Sequence, residues 1–122
     1  MIAQPSLQRH LDITDAFVRM YVFLAQHMDR SMSEAARINY PESELQAQLA
    51  TTTSAMMELL SVNEVVRGKV ERECRRVRSL TTAYQTGGDG QPEALRHLKA
   101  ERVRVKYKLV ALTDLLAVLR AA

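Results

Sequence analysis

Apolar side chains recur at alternating steps of three and four residues along three stretches of this chain. Such spacing places them on one face of an α-helix, and no stretch shows the strict alternation of a strand. We therefore predict an all-α fold with three long helices at about residues 6–38, 42–86 and 92–121. The third stretch has the cleanest stripe, which consists of Leu95, Leu98, Arg102, Val105, Leu109, Leu112, Leu116 and Leu119. Its steps average 3.5 residues, the coiled-coil repeat.

Turn-forming residues separate the three stretches at residues 39–41 and 86–92. Pro41 and Pro92 are each followed by glutamate, which is typical of a first helical turn because proline fits there and a carboxylate meets the positive end of the helix dipole. We expect Gly87 to be the left-handed residue that closes the second helix.

The short second loop predicts that the third helix folds back on the second as an antiparallel, coiled-coil-like hairpin. With the loop centred near residue 88, Val70 falls opposite Tyr107 and Glu73 falls opposite residues 103–104. We expect the first helix to cover this hairpin, so that residues 1–122 form one helical-bundle domain. If the second helix is interrupted, residues 61–63 or Gly68 are the expected points.

Polar side chains interrupt the apolar stripes of the hairpin at Asn63, Glu73 and Arg102. The register brings Glu73 within one turn of Arg102, and we predict an ion pair between them. One interpretation is a pair that fixes the alignment of the two helices without adding much stability. The other is a polar site within the hairpin.

Charge is distributed unevenly along the chain. The net charge is +3, but residues 1–66 carry four basic and eight acidic side chains, whereas residues 67–122 carry thirteen basic and six acidic ones. The hairpin fold would gather most of the basic side chains at one end. The candidate residues for binding an anion or an acidic partner are Arg67, Lys69, Arg72, Arg75, Arg76, Arg78, Arg96, Lys99, Arg104, Lys106 and Lys108.

Three interpretations of this basic cluster remain open. It could be a solvated helix face, since long basic side chains cover apolar seams and keep helices soluble. It could bind an acidic protein surface. It could also bind nucleic acid, in which case binding would fall steeply with salt. The chain has no compact helix-turn-helix and few aromatic residues for base stacking, which argues against nucleic acid.

Apolar residues on the first two helices exceed what one buried face requires. The surplus suggests either a wide bundle core, a homodimer, or a groove for a partner helix, and we expect self-association. The candidate residues for this partner or dimer surface are Phe17, Met20, Tyr21, Phe23, Leu24, Met57 and Leu60. A similar second stripe on the third helix consists of Val110, Leu115 and Val118.

Catalytic and metal-binding patterns are missing from the sequence. No two of the histidines are three or four residues apart, and the Glu93–His97 spacing supplies too few ligands for a metal. Cys74 has arginine neighbours that would lower the pKa of an exposed thiol, but a single buried cysteine usually acts as a small apolar group. We expect no enzyme activity, no metal and no cofactor.

Expected location and function follow from these patterns. A single cysteine fits a reducing cytoplasm, the N-terminus lacks a signal-peptide pattern, and the most apolar stretch, residues 16–28, is too short to span a bilayer. We expect a cytoplasmic, non-enzymatic adaptor, chaperone or regulator that binds a protein through helix packing and its basic hairpin end. The alternative is a nucleic-acid-binding regulator that uses the same end, residues 67–108.

Overall fold

The computed structural model describes residues 5–33, 42–60 and 64–122 of the chain, and these residues form an all-helical bundle. No strand occurs among them, so the predicted all-α fold is confirmed. The described residues form four α-helices and one 3₁₀ turn at Gly88–Gly90. The helices are α1 (Pro5–Met32), α2 (Glu42–Leu60), α3 (Glu64–Thr86) and α4 (Gln91–Ala121).

The first helix was predicted to extend to residue 38, but α1 ends at Met32 and Ser33 is not helical. Residues 34–38 and the predicted turn at residues 39–41 lie outside the described residues.

The predicted second helical stretch, residues 42–86, is divided into two antiparallel helices, α2 and α3, an interruption for which the sequence offered two points. Gln46 of α2 donates a hydrogen bond to the Thr82 hydroxyl of α3 at 3.2 Å, and Thr53 lies beside Cys74. The partners in α3 have lower residue numbers as the residues of α2 rise in number, so the two helices run in opposite directions. Residues 61–63, one of the two expected break points, separate them and lie outside the described residues. Folding back lets α2 bury its apolar stripe against α1 and α3 instead of extending it into water.

The predicted hairpin of the last two helices is confirmed, with the predicted register. Arg104 of α4 contacts Glu73 of α3 at 2.7 Å, and Arg76 of α3 is bonded to Glu101 of α4. Both pairs are centred near residue 88, which was the predicted centre of the loop.

The turn of this hairpin uses its glycines differently from the prediction. Gly87 has an ordinary right-handed conformation with φ −72°, and Gly88 is the left-handed residue with φ 52°. Gly87 is required for another reason: a Cβ there would lie 2.7 Å from the carbonyl oxygen of Ala83. Pro92 lies in the first turn of α4, as predicted.

Helix α1 packs along α4 more extensively than along any other helix. Arg102 donates two hydrogen bonds to Asp29 at 2.8 and 3.1 Å, and Arg120 lies 3.4 Å from Asp15. These contacts make α1 antiparallel to α4, so the four helices alternate in direction around the bundle. The largest fully buried apolar side chains are Met20, Tyr21, Leu24, Met28, Leu45, Leu49, Val70, Val77, Leu98 and Val105.

Candidate functional site

An ion-pair cluster crosses the α3–α4 hairpin near the middle of the bundle. Arg104 lies 2.7 Å from Glu73 and 2.6 Å from Glu101. Glu101 also accepts a hydrogen bond from Arg76. The Glu101 side chain is only 1% exposed, whereas that of Arg76 is 59% exposed. A carboxylate this buried requires such partners, because a buried charge without a partner is strongly destabilising.

Arg104 determines the charge state of this cluster. Burial alone would raise the pKa of Glu73, but hydrogen bonding and charge from Arg104 keep it below its ordinary value. Burial would lower the pKa of Arg104, and the opposing effect of Glu101 and Glu73 raises it overall. Both groups are therefore ionised at neutral pH, and the cluster is structural in character.

The predicted Glu73–Arg102 pair is replaced by two other pairs. Glu73 is paired with Arg104, two residues further along α4, and Arg102 is paired with Asp29 of α1. A two-residue step rotates a helical side chain by about 200°, so Arg102 and Arg104 point in different directions. The sequence pattern correctly predicted that Glu73 forms an ion pair across the hairpin. It chose the wrong partner, Arg102, which is the arginine within the apolar stripe of α4.

The predicted basic cluster is divided among several environments. Some members are engaged in ion pairs: Arg104 and Arg76 as above, and Arg67 with Glu71 at 3.8 Å. Lys69 and Lys108 are half-buried beside α1. The remaining candidates are exposed, and they are Arg72, Arg75, Arg78, Arg96, Lys99 and Lys106. The hairpin register spreads these side chains along much of α3 and α4, so they do not all gather at the tip.

The predicted partner surface on the first two helices is mostly interior. Phe17, Met20, Tyr21 and Leu24 are 0–8% exposed and belong to the core, which contradicts their assignment to a docking surface. In the described part of the chain three helices, instead of the expected two, pack against α1, and they bury its surplus apolar residues. Two further candidates, Phe23 and Met57, are partly buried and pack against the core, and the Leu60 side chain lies outside the described residues.

A different apolar surface remains open on α4. It consists of Val103, Tyr107, Val110, Leu115 and Val118, which are 45–68% exposed, and we call it the exposed α4 face. These positions lie on one side of the helix, opposite the stripe that contains Leu98, Val105 and Leu116. Val110, Leu115 and Val118 of this face formed the second stripe recognised in the sequence. The sequence did not indicate which of the two stripes the bundle would bury.

Lysines flank the exposed α4 face on both sides. On a helical wheel, Lys99 and Lys106 border it next to Val110, and Lys108 borders it next to Leu115. The face includes one carboxylate, Asp114, which is exposed. The surface is therefore an apolar strip with positive edges.

An open pocket adjoins this face where α1, α3 and α4 meet. Its volume is about 520 Å³, and its lining is largely apolar, with Phe17, Ala111 and Leu112 among the contributing residues. Tyr21 and Tyr107 also line it, as do two lysines described below. Pockets of this size and character are typical of small-ligand sites.

A second depression, of about 330 Å³, lies between α2 and α3 beside Cys74, Arg75 and Arg78. Burial raises the pKa of the Cys74 thiol, and the nearby Thr53 hydroxyl offsets only part of that effect. The thiol is therefore protonated at neutral pH and is not an activated nucleophile. Within the described ranges, no three His, Cys, Asp or Glu side chains come together as metal ligands.

His27 is a buried titratable group that the sequence did not single out. It is 1% exposed, its ring stacks on Phe23 with centroids 6.2 Å apart, and its Nε2 atom has no hydrogen-bond partner. Burial, with a smaller effect from Arg30, lowers its pKa to about 4. His27 is thus neutral at physiological pH and acts as a core residue.

None of the helices in the described part of the chain is both long enough and apolar enough to cross a bilayer. Comparisons with protein-family models, curated proteins and solved structures find no match for this chain. Its function must therefore be argued from the exposed α4 face, the pocket beside it and the surrounding charge.

Proposed function

We propose that this protein is a non-enzymatic interaction module that binds an amphipathic helix of a partner protein along the exposed α4 face. The observation that carries the proposal is the row of solvent-exposed apolar side chains on α4, where Tyr107 is 68% and Val118 is 67% exposed. Isolated exposed apolar residues are common, but five on one helix face, interrupted only by Asp114, are characteristic of an interaction site.

The dimensions of this face suit a helix. Val103 and Val118 are fifteen positions apart, which corresponds to about 22 Å along the helix axis. A partner helix of about four turns would cover that length with apolar residues at steps of three and four. Packing would follow the same ridge-and-groove geometry that joins the helices of the bundle itself.

The charges around the face favour an acidic partner. Lys99, Lys106 and Lys108 border the apolar strip, so acidic residues on the edges of a bound helix would meet lysine on both sides. Complementary charges accelerate association and select among partners more than they add affinity. Two copies of this face would instead bring lysine edges together, which argues against a homodimer through this surface.

Binding to a defined peptide tests the proposal. The probe is a designed amphipathic helical peptide with leucine on one face and glutamate on both flanks, and the control peptide carries lysine in place of glutamate. We expect the acidic peptide to bind with micromolar affinity in titration calorimetry and to weaken as salt is raised, because charge contributes. We expect the basic peptide to bind at least about tenfold more weakly.

Variants of α4 locate the site. Tyr107→Glu and Val110→Glu should each weaken the acidic peptide by about tenfold or more, since each places a carboxylate in the apolar strip. Thr113→Glu is the matched control, because Thr113 is exposed on the same helix but lies beyond the lysine edge of the apolar strip. Equal binding by the acidic and basic peptides, or equal losses in all three variants, would contradict the proposal. Binding of duplex DNA or RNA that survives in Tyr107→Glu would instead support the nucleic-acid alternative.

A further inference from the structure

The pocket beside the exposed α4 face has two chemically distinct parts. Phe17, Ala111 and Leu112 contribute apolar surface, and Lys69 and Lys108 contribute the only charged groups of the lining. Three helices form it, because Phe17 lies on α1, Lys69 on α3 and the others on α4. An apolar cavity with a localised positive edge matches a ligand with an alkyl chain and an anionic head.

The two lysines are neighbours of like charge. Burial and the proximity of Lys108 lower the pKa of Lys69, and Glu73 opposes this effect only in part. Glu73 is itself engaged by Arg104 at 2.7 Å. No carboxylate in the described part of the chain forms an ion pair with either lysine. An anion placed between the two ammonium groups would offset their repulsion, which Glu73 compensates only in part.

Tyr21 belongs to the wall of the pocket and not to its polar part. The residue lines the pocket but is 0% exposed, so its hydroxyl is out of reach of a ligand there. Burial and the nearby Glu73 carboxylate raise the pKa of Tyr21, so the phenol keeps its proton beside that carboxylate. The lysine pair is therefore the polar feature that a ligand would meet.

We propose that this pocket binds a free alkyl carboxylate, with its chain against Phe17, Ala111 and Leu112 and its head group at Lys69 and Lys108. This inference goes beyond the proposed helix-binding function and does not depend on it. The ligand class follows from the two parts of the lining: an alcohol of the same length would lack the charge, and an alkylammonium would meet two cations.

Titration with decanoate below its micelle-forming concentration tests the inference. We expect saturable binding at one site, and binding at least about tenfold weaker for decanol and decyltrimethylammonium, since ion pairing at a partly buried site contributes this much or more. The neutral and cationic ligands have the same chain length, so they separate the charge effect from simple hydrophobic partition.

Lysine variants assign the head-group site. Lys69→Gln and Lys108→Gln should each weaken decanoate by about tenfold, and Lys108→Arg should retain most of the affinity because it keeps the charge. Lys99→Gln is the control, since Lys99 is exposed on the same helix and does not line the pocket. Circular dichroism melts check that each variant is folded.

The outcomes distinguish this inference from the helix-binding proposal. Val118→Glu lies outside the pocket, so it should weaken the acidic peptide and leave decanoate binding unchanged. Equal affinity for the three decyl ligands, or equal losses in Lys99→Gln and Lys108→Gln, would overturn the inference. Binding only to anionic lipid vesicles, with none of free decanoate, would overturn it as well.

Discussion

At the scale of single residues, His27 makes the stability of the fold depend on pH. Its folded-state pKa is about 4, compared with 6.5 for an unperturbed histidine. Between these values the unfolded chain binds more protons than the folded one, so stability is lost as the pH falls from about 6.5 to 4. The full loss from this residue is about 3 kcal/mol.

We predict that His27→Leu flattens this part of the pH dependence. Urea unfolding at pH 7 and pH 4.5 should show a smaller loss of stability in the variant than in the wild type. His97→Gln is the control, because His97 is exposed and lies 3.9 Å from Glu93 on the surface. Carboxylates such as Glu73, whose pKa is lowered, add to acid destabilisation equally in all three proteins. An unchanged pH dependence in His27→Leu would contradict the assignment.

Glu101 is the residue on which the ion-pair cluster depends. Its side chain is 1% exposed and bonded to both Arg76 and Arg104. We predict that Glu101→Gln lowers the free energy of unfolding by about 2 kcal/mol, because it weakens the charged hydrogen bonds of Arg76 and Arg104, although Arg104 keeps Glu73. Chemical denaturation at pH 7 measures the effect. Glu93→Gln, an exposed substitution on the same helix, should change stability by less than about 0.5 kcal/mol, and a similar loss in both variants would contradict the prediction.

At the scale of the helices, the turn between α3 and α4 depends on a close backbone approach. A Cβ at Gly87 would lie 2.7 Å from the Ala83 carbonyl oxygen, whereas a Cβ at Gly90 would meet nothing within 4 Å. Both residues have negative φ, at −72° and −82°. Because the backbone conformation is similar at both positions, a comparison of substitutions at Gly87 and Gly90 measures the effect of the steric contact alone.

We predict that Gly87→Ala lowers the melting temperature and that Gly90→Ala leaves it unchanged or raises it slightly. The first substitution forces the end of α3 to shift, which costs about 1–3 kcal/mol. The second restricts the unfolded chain without a clash. Thermal melts followed by circular dichroism make the comparison, and equal melting temperatures in the two variants would show that the close approach is unimportant.

At the scale of the whole molecule, the arrangement of four helices determines which apolar residues reach the surface. The homodimer expected from the sequence was assigned to seven residues of the first two predicted helices, of which the bundle buries Phe17, Met20, Tyr21 and Leu24. With those residues inside and lysines beside the exposed α4 face, we predict a monomer at micromolar concentration. Light scattering after size exclusion measures the mass. A dimer that Val118→Glu converts to a monomer would contradict this prediction and assign the exposed α4 face to self-association.

The sequence by itself determined the helices and the register of the α3–α4 hairpin. Both are local properties: periodicity of 3.5 residues specifies an amphipathic helix, and a short glycine-rich loop places Glu73 opposite residues 103–104. Pro92 at the start of α4 was predictable for the same reason, since its ring conformation suits a first turn.

Only the tertiary structure decided how these helices share their apolar faces. Helix α4 has two apolar stripes, and the periodicity of its sequence does not predict which of them packs against α1 and α3. The antiparallel arrangement of α2 and α3 gives the bundle a fourth helix, which packs against both α1 and α3. Arg102 of α4 faces Asp29 of α1, so it does not pair with Glu73. Burial depends on contacts between residues far apart in the chain, and therefore the exposed α4 face and its pocket became visible only in the folded bundle.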